Sequence, residues 1–323
     1  MDLVSRAFLR VMAWTANRFA RADPAGERRR EAWNAVAAAH GAPARRPGHP
    51  SGRFRSPRLL TGSPQACTDV LELRRDGVPL RLEAFQASAD GPHTLAVAPY
   101  VLGAGPRFDL RRRRPRLDVL MGGRAVREGR GDWRGLLDEV DLRPLGRLRG
   151  ARLFAEGPNV VVQWRGLEAD PARLEAAIGL LVRLARRDAD RLRAVVPPDA
   201  EWTSGDGSWD RWRPPRATLR RQGVGVRVAP RAFETGPGLR LEASTDGMLQ
   251  PFRIEPAPDA GGVDPLEPTE RARFARSGAS CLAHDGSHLW LQWHDLPDTA
   301  RFDAGLAALL PVAERARRGA AYR

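Results

Sequence analysis

The sequence predicts an α+β protein of two tandem related units. Each unit is a small antiparallel sheet of hairpins with a closing helix packed on one face, and an N-terminal helical arm precedes them. Three observations predict this. First, the chain repeats itself: "LELRRDGVPLRL" at 71–82 returns as "ATLRRQGVGVRV" at 217–228, and "ARLFAEGPNVVVQW" at 151–164 returns as "SCLAHDGSHLWLQW" at 280–293. Second, each copy begins with two-residue alternation and ends with three- and four-residue periodicity, the periods of strands and helices. Third, 323 residues with 42% hydrophobic and 28% charged side chains suit about two globular domains rather than a disordered chain.

Taken in order, residues 1–56 form a helical arm and a proline-punctuated linker. In the first 22 residues Val4, Phe8, Val11, Met12 and Phe19 project to one side of a helix, while Arg6, Arg10 and Arg21 project to another. Arg6, Phe8, Arg10, Met12 and Phe19 are therefore candidates for docking on a membrane surface or a partner. A second helical patch, "RRREAWNAVAAAHG", carries Trp33.

The first unit spans 57–195 and the second 196–323. Leu73, Arg74, Arg75, Gly77, Val78 and Arg81 recur at Leu219, Arg220, Arg221, Gly223, Val224 and Arg227. Alternation on both sides of Asp76-Gly77 predicts a hairpin with a tight turn, because glycine accepts the positive φ the turn needs. Strands follow at 94–100 and near Phe108, and Phe108-Asp109-Leu110 is echoed by Phe252-Arg253-Ile254. A second hairpin surrounds 156–159, and its copy turns at 285–287. The closing helix begins near Pro171, a residue tolerated in a first helical turn. Leu174, Ala177, Ile178, Leu181, Val182 and Ala185 make its apolar stripe. Its copy starts at Phe302-Asp303 and ends at Arg317-Arg318. Alternation puts Val160, Val162 and Trp164 on one strand face, as it does Leu289, Leu291 and Trp293, so each recurring pentapeptide supplies its own unit's core. Residues 193–216 join the units, with Trp202, Trp209 and Trp212 expected to anchor that linker, the alternative being a stacking platform for sugars or bases.

The sequence shows no catalytic signature: no G-x-S-x-G elbow, Walker loop, dinucleotide-binding fingerprint or H-E-x-x-H. His288 and His294 share a strand face but lie six residues, roughly 20 Å, apart, too far to hold one zinc. His284 and His288 flank a turn with no third ligand in view. The two cysteines, Cys67 and Cys281, allow no metal motif and no disulfide framework. No catalytic, cofactor or metal residue is assigned, and no cofactor is expected.

Charge is the informative feature. All 53 basic residues are arginine, which reads as a GC-rich bacterial coding bias. Residues 1–56 hold 11 arginines against four acids, and residues 107–130 hold nine against three. The other 243 residues are nearly neutral. Arg111, Arg112, Arg113, Arg114 and Arg116 are the candidates for binding an anion or partner. At the corresponding place in the second copy, residues 252–270 carry Arg253 against five acids, which leaves two readings: two unrelated solvated loops, or loops that attract each other within one chain or between chains.

The reading that follows is a non-enzymatic binding or scaffold protein, its partner a second protein or another copy of itself. The alternatives are a binder of nucleic acid or of an anionic surface through the arginine-rich segments, and an enzyme with an active site between the units. No transmembrane span is expected, and the start lacks the continuous apolar core of a secretory signal. The expected location is the cytoplasm, with the arm either packed on the protein's own body or in peripheral contact with the inner membrane.

Overall fold

A computed structural model describes residues 24–44, 46–48, 67–87, 91–112, 124–148, 150–208, 210–233, 236–245, 251–256 and 266–321. The first sheet comprises β1 (Arg46–Gly48), β2 (Cys67–Arg75), β3 (Val78–Ala87), β4 (Gly91–Pro99), β5 (Arg107–Arg112), β6 (Arg124–Arg130), β7 (Arg152–Glu156) and β8 (Asn159–Arg165). Its spatial order is β1-β2-β3-β4-β8-β7-β5-β6. The second sheet comprises β9 (Glu201–Thr203), β10 (Arg216–Arg221), β11 (Val224–Phe233), β12 (Gly236–Ser244), β13 (Phe252–Ile254), β14 (Cys281–His284) and β15 (His288–Trp293). Its order, β9-β10-β11-β12-β15-β14-β13, repeats the first strand for strand. Among the described residues only β6 has no counterpart. The strand expected near Phe108 is β5, and the arginine-rich segment after it, expected as a loop, contributes the antiparallel strand β6 at 124–130. Arg46–Gly48, expected in the linker, forms the edge strand of the first sheet.

The local reasons are the same in both copies. Asp76 and Gly77 have φ of 51° and 79°, and Gln222 and Gly223 have 52° and 76°. Two successive positive φ values make a turn whose twist matches that of the flanking strands. The register closes on Arg75 opposite Val78 and on Arg221 opposite Val224.

Among the described residues six helices complete the layers: α1 (Pro24–Ala39), α2 (Trp133–Glu139), α3 (Arg143–Arg147), α4 (Pro171–Val195), α5 (Pro268–Ser277) and α6 (Thr299–Ala321). The closing helices are α4 and α6. Asp170 caps α4 by accepting from the Ala172 N–H at 2.9 Å, with Pro171 in the first turn. The recurring tryptophans lie beneath these helices. Trp164 is 1% exposed and Trp293 is fully buried. Each indole N–H has a partner, Glu168 Oε2 at 3.0 Å and the Ser277 carbonyl at 2.8 Å. Helix α6 approaches so closely that a Cβ on Gly305 would fall 2.5 Å from the Trp293 ring.

The apolar stripe of α4 is wider than its periodicity predicts, because α1 and α3 pack on its far side. Trp33 of α1 is fully buried and donates to the Glu168 carbonyl at 2.9 Å. The last turns of α4 do something the repeat does not foretell. Ala189, Leu192 and Val196, with Leu102, pack into the core of the second unit. One helix closes the first unit and enters the second, which fixes the two sheets relative to each other. The linker is pinned to the same junction: Trp212 donates to the Val101 carbonyl at 2.9 Å, and the Arg74 guanidinium lies 5.6 Å over its ring. None of the described helices is long and apolar enough to cross a membrane.

Candidate functional site

Alternation along each strand sends one set of side chains toward the helices and the other outward. The inward sets are equivalent in the two copies and apolar in both. The outward sets are not. In the first sheet Val70, Phe85, Leu95, Val97, Phe154 and Val161 form a separate buried cluster on the outward face. Register gives their counterparts. Arg81 pairs with Val97, and Arg227 pairs with Glu242; Val97 pairs with Val161, and Glu242 pairs with Trp290. The second sheet therefore places Arg216, Arg231, Arg240, Glu242, Ala283 and Trp290 where the first has its six apolar residues.

Glu242 is the centre of this outward face. It is 7% exposed, and it accepts from Arg227 Nε at 2.7 Å and also from Arg227 NH2. Arg231 NH2 donates at 2.8 Å and Arg240 NH1 at 3.4 Å. Three guanidinium groups thus share one carboxylate. Burial alone would raise the Glu242 carboxyl, but the hydrogen bonds from Arg227 and Arg231 outweigh it and hold it below the usual glutamate range. Burial and the neighbouring Arg231 lower Arg240, which nonetheless stays charged at any physiological pH. The guanidiniums are held but not enclosed: the side chains of Arg227 and Arg231 are 49% and 44% exposed. A guanidinium has five donors, so free N–H groups face solvent.

The comparison with Arg81, the equivalent of Arg227, explains the arrangement. Arg81 meets Glu83 at 2.6 Å and Glu72 at 2.8 Å. Both acids are lost in the second copy, where Ala229 and Thr218 stand in their places. Arg227 turns to Glu242, which also carries the two added arginines. Exposed Arg216 and Arg220 lie on the same face of β10, and no carboxylate among the described residues pairs with either. At the far edge Arg253 pairs with Glu255 at 2.9 Å.

Aromatic rings share the face. Arg240 lies 4.8 Å over the ring of partly buried Trp290, and Arg240 Nε also donates to Gln292 at 3.3 Å. Phe233 and His294 pair at 4.6 Å between ring centroids. Gly238 permits this, since a Cβ there would stand 2.3 Å from the Phe233 ring. Cys281 is also on this face; burial pushes its thiol up.

A cleft of about 290 Å³ opens between the units, and His294 and Asp295 line one wall. Asp132, Arg187, Asp188 and Arg191 line the other. Four of the five N–H donors of Arg187 are taken. Its Nε donates to Glu139 Oε2 at 2.7 Å, its NH1 to Asp188 at 2.9 Å, and its NH2 to Asp132 at 3.0 Å and to Glu139 Oε1 at 2.9 Å. Burial raises the Asp188 carboxyl, an effect Arg187 only partly offsets. Asp295 is occupied by Arg301 at 2.8 Å. The cleft's charges thus tie α2 to α4, whereas the outward arginines retain open donors.

The structure does not bring the sequence-predicted residues into this site. Arg6, Phe8, Arg10, Met12 and Phe19 lie outside the described residues, as do Arg113, Arg114 and Arg116. Arg111 and Arg112 belong to β5, paired through the backbone with Ala125 and Arg124. Two of the acids in the segment 252–270 have partners within their own unit. Glu267 and Glu270 form the capping box of α5, and Arg315 of α6 binds both, at 3.1 Å and 2.9 Å. They serve their own helix and are not open loop charge. The arginine face itself escaped the reading by segments. The signal that finds it is the outward position of each strand, compared between copies: Val70 with Arg216, Phe85 with Arg231, Leu95 with Arg240.

No family model and no curated protein matches the chain. Among solved structures, the mycobacterial trehalose monomycolate transport factor A, TtfA, is similar at 16% identity and a TM-score of 0.34, over 55% of this chain and 98% of that one. A likeness at that level carries nothing to the site.

Proposed function

We propose that the protein is a non-enzymatic binding protein whose second unit receives an anionic partner on the outward face of its sheet. One observation carries this reading: Arg227, Arg231 and Arg240 converge on the single buried carboxylate of Glu242. Three like charges around one carboxylate repel one another, and an added anion relieves that repulsion while filling the free donors. The same fold in the first copy carries no such cluster, so the fold does not require it. In this reading the first unit is the scaffold, and α4 holds the second in place.

The test is thermal melting of the full chain in pyrophosphate or polyphosphate at fixed ionic strength. A ligand that binds only the folded state raises the midpoint as its concentration rises. The expected result is a rise that disappears in an Arg227→Ser, Arg231→Ser double variant. An equal rise in both proteins, or none in either, overturns the proposal.

A further inference from the structure

We infer that the anionic partner is a single-stranded nucleic acid, its phosphates held by Arg216, Arg227 and Arg231 and its bases stacked on Trp290–Arg240 and Phe233–His294. This rests on the anionic reading above and adds the class of ligand. The face mixes charged and aromatic groups. Charge alone would serve any polyanion, but here π-surfaces lie among the guanidiniums: Arg240 over Trp290 at 4.8 Å, and Phe233 against His294 at 4.6 Å. Bases of a single strand stack on aromatic rings and on guanidinium planes, while their phosphates follow a basic groove or surface.

Spacing agrees. Arg227 and Arg231 are four residues apart on β11, roughly 13 Å along the strand, and Arg216 lies on the neighbouring strand β10. Such a row spans more than one phosphate. Arg240 and Trp290 lie on the other side of β11, on β12 and on its neighbour β15, so a strand laid along β11 has phosphate donors on one flank and a stacking pair on the other. The other polyanions use only half of this. A duplex keeps its base faces stacked inside and offers none to Trp290. Lipid headgroups offer charge without rings, and Trp290 lies beneath Arg240 instead of projecting as an apolar wedge. A polyphosphate chain has no π-surface at all.

The experiment is fluorescence anisotropy with a labelled single-stranded oligonucleotide and the full-length protein at low and moderate salt. The same strand as a duplex, polyphosphate, and phosphatidylserine vesicles serve as competitors. The single strand is expected to bind most tightly, with an affinity that falls steeply with salt. Trp290→Ala is expected to weaken it roughly tenfold and to leave polyphosphate affinity unchanged, and Trp290→Phe is expected to restore most of the loss. Arg227→Ser with Arg231→Ser is expected to weaken both ligands. Melting curves of each variant separate lost binding from lost folding, and if Trp290→Ala does not fold, the Phe233→Ala variant carries the same comparison. Equal affinity for duplex and single strand, or no effect of a folded ring variant on the single strand, overturns the nucleic-acid inference while the anionic reading stands. Arginine-dependent vesicle binding that oligonucleotide does not displace overturns it in favour of a membrane surface. No binding of any anion, with no effect of the arginine changes, overturns both readings.

Discussion

The outward faces of the two sheets differ where almost everything else about the copies agrees. One buries Val70, Phe85, Leu95, Val97, Phe154 and Val161. The other holds Arg216, Arg231, Arg240, Glu242, Ala283 and Trp290 on the same strands in the same register. The inward faces must fill the space under a helix, so both keep apolar side chains and a tryptophan. The outward face of the second sheet, where the side chains of Arg227 and Arg231 are 49% and 44% exposed, is under no such packing demand. A duplicated unit can therefore change its outward chemistry without losing its core. The first copy also keeps its outward charges matched, as Arg152 with Asp109 at 2.7 Å and Arg81 with Glu83 at 2.6 Å show. The second leaves arginine in excess.

The sharpest way to break the comparison is to move charge into the apolar face. Val97 is fully buried and stands opposite Arg81. Val97→Arg is expected to cost about 4 kcal/mol or more, through a buried charge facing a like charge. Urea unfolding measures it, and a loss below about 1 kcal/mol would show that this face is not a closed core. The inward faces are next. Trp164→Ala and Trp293→Ala are each expected to cost about 3–5 kcal/mol. Near-equal losses would support two equivalent cores, and a large difference would place the tryptophans in different roles.

Glu242→Gln comes third, with an expected loss of about 1–2 kcal/mol at low salt, since its partners are partly solvated. Sulfate or pyrophosphate should restore part of it by replacing the missing anion, and no recovery would weaken the anionic reading. The same change tests pH dependence. The Glu242 carboxyl is depressed on folding, so its stabilisation is fully present above the ordinary glutamate range and is lost as pH falls through that range toward the folded value. Asp188 in the cleft has the opposite sign. Its carboxyl is raised on folding, so its ionisation costs stability as pH rises through the range between the ordinary aspartate value and the raised one. Denaturation midpoints followed as pH falls from neutral through the carboxylate range should respond in opposite directions to Glu242→Gln and Asp188→Asn. The smallest effect is expected for Arg216→Ser. Exposed and without a described carboxylate partner, it should change stability by less than about 0.5 kcal/mol, yet weaken anion binding measurably in the same anisotropy assay.

Much of this protein was legible in its residues alone. The repeated hairpins, the turns at Gly77 and Gly223, the two buried tryptophans and the closing helices follow from local periods and turn chemistry, which act over a few residues and leave a direct trace in the chain. The arginine face left no such trace. Its members come from β10, β11, β12 and β13, and the acids that balance them in a segment count, such as Asp199, Asp295 and Glu270, sit on helix termini and linkers, held by Arg221, Arg301 and Arg315. The residues outside the two basic segments sum to near neutrality, yet the fold sorts them by side of the sheet. Net charge is a property of a stretch of chain, whereas electrostatic potential is a property of a surface, and only strand pairing decides which residues share one. The entry of α4 into both cores is tertiary for the same reason: nothing in the local pattern of Ala189 and Leu192 states which unit they will pack against.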